Sequence, residues 1–192
     1  MKKLVIGLAV CLATIVVPAS YAASSPILVR ITTNLGKIEL ELDTGKAPRT
    51  VENFMQYVRA GTYNGTIFHR VIPGFMIQGG GYNRDLSERP ARAPIANEAD
   101  NGLKNLTGTI AMARTPDPHS ASNQFFINTA DNGFLDFRNK TPQGWGYAVF
   151  GKVITGIDVV RSIEASATTR RGPFENLPRS TVTIVKIEEI RP

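Results

Sequence analysis

Apolar and polar residues alternate in two short stretches near residue 30 of the chain. In Ile27–Thr32 and in Ile38–Asp43, one set of alternate positions is wholly apolar. A period of two predicts half-buried strands, and Asn34–Gly36 between them predicts a hairpin turn. In Ala47–Gly61 the apolar residues recur at helical spacing instead, with a proline near the start and a glycine at the end. We therefore predict a helix there.

Short apolar stretches farther along the chain predict more strands. They lie at Ile67–Ile72, Phe75–Gln78, Thr109–Ala113, Phe125–Asn128, Tyr147–Val153 and Thr181–Ile190. A second helix is predicted at Ile157–Ala165, where apolar residues again follow helical spacing. Proline and glycine mark Pro90–Pro94 and Arg170–Pro178, which we interpret as surface loops. Many short strands with two isolated helices favour a mainly β barrel over a doubly wound sheet.

The first 22 residues follow a different pattern. Two lysines precede an apolar run over residues 4–17, and the small residues Ser20 and Ala22 follow it. This order is typical of a secretory signal peptide. We predict a signal peptide over 1–22, cleavage after Ala22 and one domain over 23–192, located in the periplasm. A retained membrane anchor is the alternative, but the run is shorter than the roughly 20 residues that span a bilayer. We expect no membrane association after cleavage.

Composition narrows the classes of protein further. The single cysteine, Cys11, lies in the apolar run, so the predicted mature domain has no thiol for a disulfide or a metal site. The net charge is +6, of which Lys2 and Lys3 contribute two, which leaves +4 after cleavage. Basic residues are scattered among acids, apart from the pair Arg170 and Arg171. We therefore expect a mixed solvated surface and no nucleic-acid ligand.

The segment Phe68–Gly80 brings together a distinctive set of side chains. It contains a guanidinium at Arg70, large apolar groups at Phe75 and Met76, and a primary amide at Gln78. None of these four groups is a nucleophile or exchanges a proton readily near neutral pH. Such groups suit the binding of a flat apolar ring beside a carbonyl, and an X-Pro peptide bond is the obvious ligand of that kind.

This segment resembles the signature of the cyclophilin-type peptidyl-prolyl cis-trans isomerases. The resemblance continues in the same order through Gly108–Arg114, Asn123–Ile127 and Tyr147–Gly151, and it covers the chain from about Ile27 to Ile190. It implies a closed eight-stranded antiparallel β-barrel with an α-helix over each open end. It also implies an isomerase that acts on X-Pro bonds of unfolded or flexible exported proteins, without cofactor or metal. We expect a monomer.

The resemblance assigns roles to individual residues. It places Arg70 in the catalytic position. The substrate-binding residues that it implies are Phe75, Met76, Phe126 and Leu135 in the proline pocket, the amides Gln78 and Gln124, the strand-end residues Ala113 and Arg114, and the wall residues Phe134 and Tyr147. Many family members carry tryptophan at the position of Phe134. Because phenylalanine lacks the indole N–H donor, we expect weak or no cyclosporin binding.

Alternative interpretations of these residues exist. Arg70 could be a surface arginine in an ion pair, and the apolar residues could be ordinary core. However, Phe75 and Ile77 share one parity of the predicted strand, and Met76 and Gln78 share the other. A strand cannot bury both sets in one core, so a second apolar site is plausible. His69 is interpreted as structural and His119 as a loop residue, and no serine-nucleophile motif or metal-ligand cluster occurs. A binding module or holdase for proline-containing chains is the rival function, and a nucleic-acid-binding protein comes third.

Overall fold

The computed structural model describes residues 26–191, so the predicted signal peptide lies outside the described residues. Within that range the chain forms ten strands and two α-helices. In chain order they are β1 (Ile27–Thr33), β2 (Gly36–Leu42), α1 (Pro48–Arg59), β3 (Thr66–Ile72), β4 (Met76–Asn83), β5 (Thr109–Met112), β6 (Phe125–Asn128), β7 (Val149–Thr155), α2 (Ile157–Glu164), β8 (Thr168–Arg171), β9 (Phe174–Pro178) and β10 (Ile184–Ile190). In residues 26–191, neither helix is long and apolar enough to cross a membrane.

Eight of the strands form one strongly curled antiparallel sheet, in the order β10-β1-β2-β7-β5-β6-β4-β3. The edge strands β3 and β10 approach each other, but no continuous ladder joins them. The junction consists of the bridge between Ile67 and Thr183 and two backbone hydrogen bonds, from Gly65 N to Ile184 O and from Phe68 N to Val182 O, of 2.8 and 2.9 Å. The mainly β fold is as predicted, whereas the word "closed" overstates how the barrel is joined.

Both helices pack apolar side chains into the core inside the curled sheet. Phe54 of α1 is fully buried, and its ring lies 5.2–5.6 Å from the rings of Tyr63, Phe125 and Phe150. Val160 and Ile163 of α2 belong to the same cluster. This burial explains why apolar residues recur at helical spacing in both segments.

A carboxylate from a distant part of the chain caps the N-terminus of α1. Glu98 accepts hydrogen bonds from the backbone N–H groups of Arg49 and Thr50, at 3.2 and 2.8 Å. These N–H groups have no partner within the helix, and a negative charge at this end is favourable to the helix dipole. The helix start was predicted from Pro48, but this long-range cap was not.

The segment predicted as a surface loop at Arg170–Pro178 is instead most of a β-hairpin. Strands β8 and β9 pair antiparallel, with Arg171 opposite Phe174, so the loop contains only Gly172 and Pro173. Gly172 has φ of +57°, which the first central position of a type II′ turn requires. The prediction was wrong because glycine and proline were taken as loop markers, although here they form the tight turn itself. Strand β9 packs against β3.

Candidate functional site

A row of paired residues crosses four strands on the outer face of the sheet. Cross-strand partners point to the same face of a sheet, so this row places a guanidinium, an amide and an aromatic ring side by side. From β3 through β4 and β6 to β5, the row is Arg70, Gln78, Phe126 and Ala111. The register of the strands therefore places these side chains next to one another.

Among residues 26–191, Arg70 has one weak side-chain hydrogen bond. Its Nη1 donates to Gln78 Oε1 at 3.4 Å, and Gln78 Nε2 in turn donates to Gln124 Oε1 at 2.9 Å. A distance of 3.4 Å is long for a hydrogen bond. Within residues 26–191, Arg70 forms no ion pair with a carboxylate. Its guanidinium therefore keeps most of its donor capacity for a ligand.

A second apolar cluster lies beside Arg70, separate from the barrel core. Its buried members are Met76, Ala111, Phe126, Leu135 and Val149. Phe75 and Tyr147 pack against this cluster and are partly exposed. Together with polar neighbours they line a cavity of about 100 Å³, formed by Arg70, Phe75, Met76, Gln78, Ala113, Arg114, Phe126, Leu135 and Tyr147. The structure thus brings nine of the eleven predicted site residues to one cavity.

The other two predicted residues lie next to this cavity. Gln124 is bonded to Gln78 and lines an adjacent cavity. Phe134 is 68% exposed, and its ring stacks on that of Phe75 with the centroids 5.6 Å apart. Phe134 is therefore at the rim of the site, where a large ligand could cover it.

A second apolar site was predicted from the alternation of residues along β4, and neighbouring residues of this strand do belong to two different apolar clusters. Ile77 points into the barrel core, whereas Met76 belongs to the outer cluster. Phe75 has the parity of Ile77 yet packs on the outer side. It does so because it lies in the turn before β4, which begins at Met76, and strand alternation does not apply to a turn.

Arg114 is held far more firmly than Arg70. Its Nε donates to Gly146 O and its Nη1 to Thr115 O, both at 2.9 Å. The centre of its guanidinium lies 4.6 Å from the centroid of the Tyr147 ring, which is a cation–π geometry. A further bond from Nη1 to Pro116 O at 3.4 Å brings three of its five N–H donors into use, so Arg114 braces the wall of the cavity.

Three buried asparagines hold the loops that complete the cavity. Asn132 donates to Phe75 O at 2.9 Å and to Asn128 Oδ1 at 2.7 Å. Asn128 donates to Asn105 Oδ1, and Asn105 donates to Leu135 O, each at 3.2 Å. A satisfied buried network of this kind fixes loop positions. The sequence reasoning missed it, since polar residues spread over 28 positions carry no periodic signal.

Neither His69 nor His119 lines the cavity of about 100 Å³ beside Arg70. His69 is buried beside Arg70, and its ring meets that of Tyr82 edge-on with the centroids 4.7 Å apart. Burial, with a further contribution from the positive charge of Arg70, lowers the pKa of His69 to about 4. His69 is therefore neutral at pH 7. His119 is exposed and accepts a hydrogen bond from the backbone N–H of Asn97.

The structure places the Arg70 guanidinium beside an apolar cavity, and comparison with known proteins decides the family. The family model described as "Cyclophilin type peptidyl-prolyl cis-trans isomerase/CLD" matches residues 28–189. The chain belongs to the cyclophilin-type peptidyl-prolyl cis-trans isomerase family. This cyclophilin therefore catalyses rotation about X-Pro peptide bonds, and the predicted family and activity are confirmed.

Individual relatives agree with this assignment. The cyclophilin is 47% identical to peptidyl-prolyl cis-trans isomerase A of Dickeya dadantii over 190 residues, which is 99% of this chain and 98% of the relative. It is 52% identical to isomerase B of Escherichia coli over 160 residues, 83% of this chain and 98% of the relative. A crystal structure of a cyclophilin-type isomerase from Cryptosporidium parvum aligns with TM-score 0.72 and 28% identity, over 87% of this chain and 99% of that one.

Proposed function

We propose that Arg70 catalyses the isomerisation by donating a hydrogen bond to the prolyl nitrogen. Rotation about a peptide bond faces a barrier of about 18–20 kcal/mol, because amide resonance resists twisting. In the twisted state the prolyl nitrogen is pyramidal and basic, so a donor stabilises that state more than the planar one. The observation that carries the proposal is the half-buried Arg70 guanidinium, which has one weak partner at 3.4 Å. No proton transfer is needed, since no bond breaks.

The proline ring is proposed to bind in the apolar cavity of about 100 Å³ beside Arg70, which we call the proline cavity. Apolar side chains make up much of its lining, which suits a small apolar ring. Met76, Phe126 and Leu135 are buried, so this part of the cavity is dry enough to favour an apolar ring over water. A Cryptosporidium parvum relative, 27% identical with TM-score 0.71, was determined in the presence of the dipeptide Ala-Pro, which supports a ligand of this class.

Polar groups around the cavity are proposed to hold the substrate backbone. The N–H of Ala113 donates to Gln124 O at 2.9 Å, so we propose that its carbonyl, rather than its N–H, meets a substrate N–H. Gln78 and Gln124 offer amide groups next to Arg70. Arg114 and Tyr147 supply a braced wall, and Phe134 extends the apolar surface at the rim.

We further propose that the substrates are exported polypeptides in the periplasm and that the mature domain, 23–192, acts there as a monomer. The support is the basic start, the apolar run and the small residues Ser20 and Ala22 of the sequence. N-terminal sequencing of the protein recovered from a periplasmic extract tests this part. A first residue of Ala23 is expected, whereas an intact Met1 in a membrane fraction would contradict export by a cleaved signal.

The catalytic assignment is tested by measuring binding and exchange on the same samples. In Arg70→Ala, NMR titration with an X-Pro peptide is expected to show binding within a few-fold of wild type, since the apolar cavity persists. Cis-trans exchange of the same peptide is expected to be nearly lost. A variant that binds and still catalyses would remove Arg70 from the mechanism. A variant that neither binds nor catalyses would make Arg70 a binding residue instead.

A further inference from the structure

A second cavity adjoins the proline cavity and shares two of its lining residues. Its volume is about 370 Å³, several times that of the proline cavity at about 100 Å³. Arg70 and Gln78 line both cavities, so the two cavities meet at these side chains. The residues that line the second cavity are His69, Arg70, Gln78, Tyr82, Gln124, Pro173, Phe174 and Glu175. We name it the hairpin cavity, since β8 and β9 supply its far wall.

The turn of the β8–β9 hairpin positions that wall. The tight turn at Gly172 and Pro173 brings Phe174 to the start of β9, and β9 packs against β3, which carries Arg70. The ring of Phe174 meets that of Tyr82 edge-on, with the centroids 4.8 Å apart and the planes at 90°. Both side chains are half-buried, so each has a part that a ligand can reach. The hairpin is therefore anchored to β3 and β4, the strands that carry Arg70 and Gln78.

The chemistry of the hairpin cavity favours an aromatic side chain. Phe174, Tyr82 and Pro173 offer apolar surface, and aromatic pairs prefer the edge-to-face or offset arrangements that such a corner allows. Its one carboxylate, Glu175, is exposed and lies 3.8 Å from Arg170, so it is partly neutralised. A cationic side chain would meet Arg70, and an anionic one would meet Glu175. The volume is large enough for a Phe, Tyr or Trp side chain.

We propose that the hairpin cavity is a specificity subsite, which binds an aromatic side chain of the substrate close to the proline. The inference rests on the proposed role of Arg70, because Arg70 links the hairpin cavity to the catalytic position. An extended chain advances at most about 3.3–3.6 Å per residue. Because the two cavities share Arg70 and Gln78 as lining residues, the side chain that enters the hairpin cavity is expected within two positions of the proline. The aromatic residue can stand before or after the proline in the substrate sequence. The test therefore includes peptides of both kinds.

The test compares kcat/KM for matched X-Pro peptides that carry Phe or Ala at one position. Phe is placed in turn one or two residues before and one or two residues after the proline. For wild type, we expect one arm to favour Phe over Ala by about two- to tenfold, the range of one aromatic contact. In Phe174→Ala that ratio is expected to fall to about one. The ratio is the readout, so a general loss of activity, which lowers both rates alike, does not affect it.

Two more variants make the outcome decisive. Phe174→Leu keeps an apolar side chain in the hairpin and is expected to lower the ratio even if Phe174→Ala proves unstable. Thr169→Ala, on the exposed strand β8 of the same hairpin, is expected to keep the ratio of wild type. A wild-type ratio of one in every arm would overturn the inference, as would a preference that survives both Phe174 variants or is lost in Thr169→Ala. Persistence of exchange in Arg70→Ala would count against the catalytic role instead, and the Phe/Ala ratio would still be readable.

Discussion

Two neighbouring rows of residues on the same four strands lie on opposite faces of the sheet. The inner row lies in the barrel core and is fully buried; from β3 to β5 it consists of Val71, Ile77, Ile127 and Ile110. The outer row, one residue away on each strand, consists of Arg70, Gln78, Phe126 and Ala111. A shift of one residue along a strand reverses the face of the sheet. One register therefore sets both the packing of the core and the order of the side chains along the candidate site.

The two faces also differ in how they are covered. The inner face is sealed by α1 and α2, whose buried side chains join one large cluster. The outer face is covered only in part, by loop residues such as Phe75, Leu135 and Tyr147. The asparagine network holds these loops in place. We infer that substitutions inside mainly change stability, whereas substitutions outside mainly change catalysis.

The largest expected effect separates two adjacent phenylalanines on β6. Phe125 points into the core, where its ring meets those of Phe54, Tyr63 and Phe68, whereas Phe126 belongs to the outer cluster. We expect Phe125→Ala to lower the free energy of unfolding by about 3–5 kcal/mol. Phe126→Ala should lower the free energy of unfolding by less, because Phe126 lines a cavity that already opens to solvent. It should lower kcat/KM by more than Phe125→Ala does.

Urea unfolding and peptide exchange on both variants check this prediction. The control is the same pair replaced by leucine, which keeps most of the apolar volume and should reduce both effects. Equal losses of stability in the two alanine variants, or a loss of activity that simply follows the loss of stability, would show that the two faces are not separable.

The next effect concerns the pH dependence of stability through His69, which neighbours Arg70 on β3 and is buried. Its pKa is lowered from 6.5 to about 4, so between these values the unfolded chain binds more protons than the folded one. The contribution of neutral His69 is fully present above about pH 6.5 and is lost as the pH falls towards 4. Its size is about 3 kcal/mol, because each tenfold change in proton affinity corresponds to about 1.4 kcal/mol.

Unfolding free energies of wild type and His69→Gln between pH 7 and pH 4 measure this contribution. The difference between the two proteins should change by that amount over the interval. His119→Gln, at an exposed site in a loop, is the control and should follow wild type. Parallel curves for wild type and His69→Gln would contradict the lowered pKa.

The smallest expected effect lies at the rim of the outer face. Phe134→Trp should strengthen cyclosporin binding by about tenfold to a hundredfold, because the indole N–H would pair an inhibitor carbonyl that otherwise lacks a partner, at roughly 1–3 kcal/mol. Exchange of proline peptides should change little, since Phe134 does not line the proline cavity. Titration calorimetry beside peptide exchange measures both. Unchanged affinity for the drug would mean that Phe134 is not the matching wall residue.

The sequence was sufficient for those features that local pattern or a contiguous motif encodes. Period-two alternation predicted β1 and β2, and helical spacing predicted α1 and α2. Most of the proline cavity was predicted because its residues fall in short segments that resemble the family signature, such as Phe68–Gly80. Register then places residues from different segments in one row, as Gln78 beside Phe126 illustrates.

Features that depend on long-range contacts could not be predicted in the same way. The incomplete junction of β3 with β10 depends on the curl of the whole sheet. The cap that Glu98 provides for α1 joins residues 48 or more positions apart. The hairpin cavity was missed because β8 and β9 were interpreted as a loop, although the Gly172-Pro173 pair fits a type II′ turn.

The central claim is that one unpaired guanidinium, rather than positive charge in general, carries catalysis on the outer face. Arg70 and Arg114 line the same cavity, but only Arg70 keeps most of its donors unengaged. The most direct test is the NMR exchange rate of one X-Pro peptide at saturation with Arg70→Ala and with Arg114→Ala. We predict a loss on the order of 10²–10³ for Arg70→Ala, as for other single transition-state donors, and a loss of less than about tenfold for Arg114→Ala. Equal losses in the two folded variants would contradict the claim.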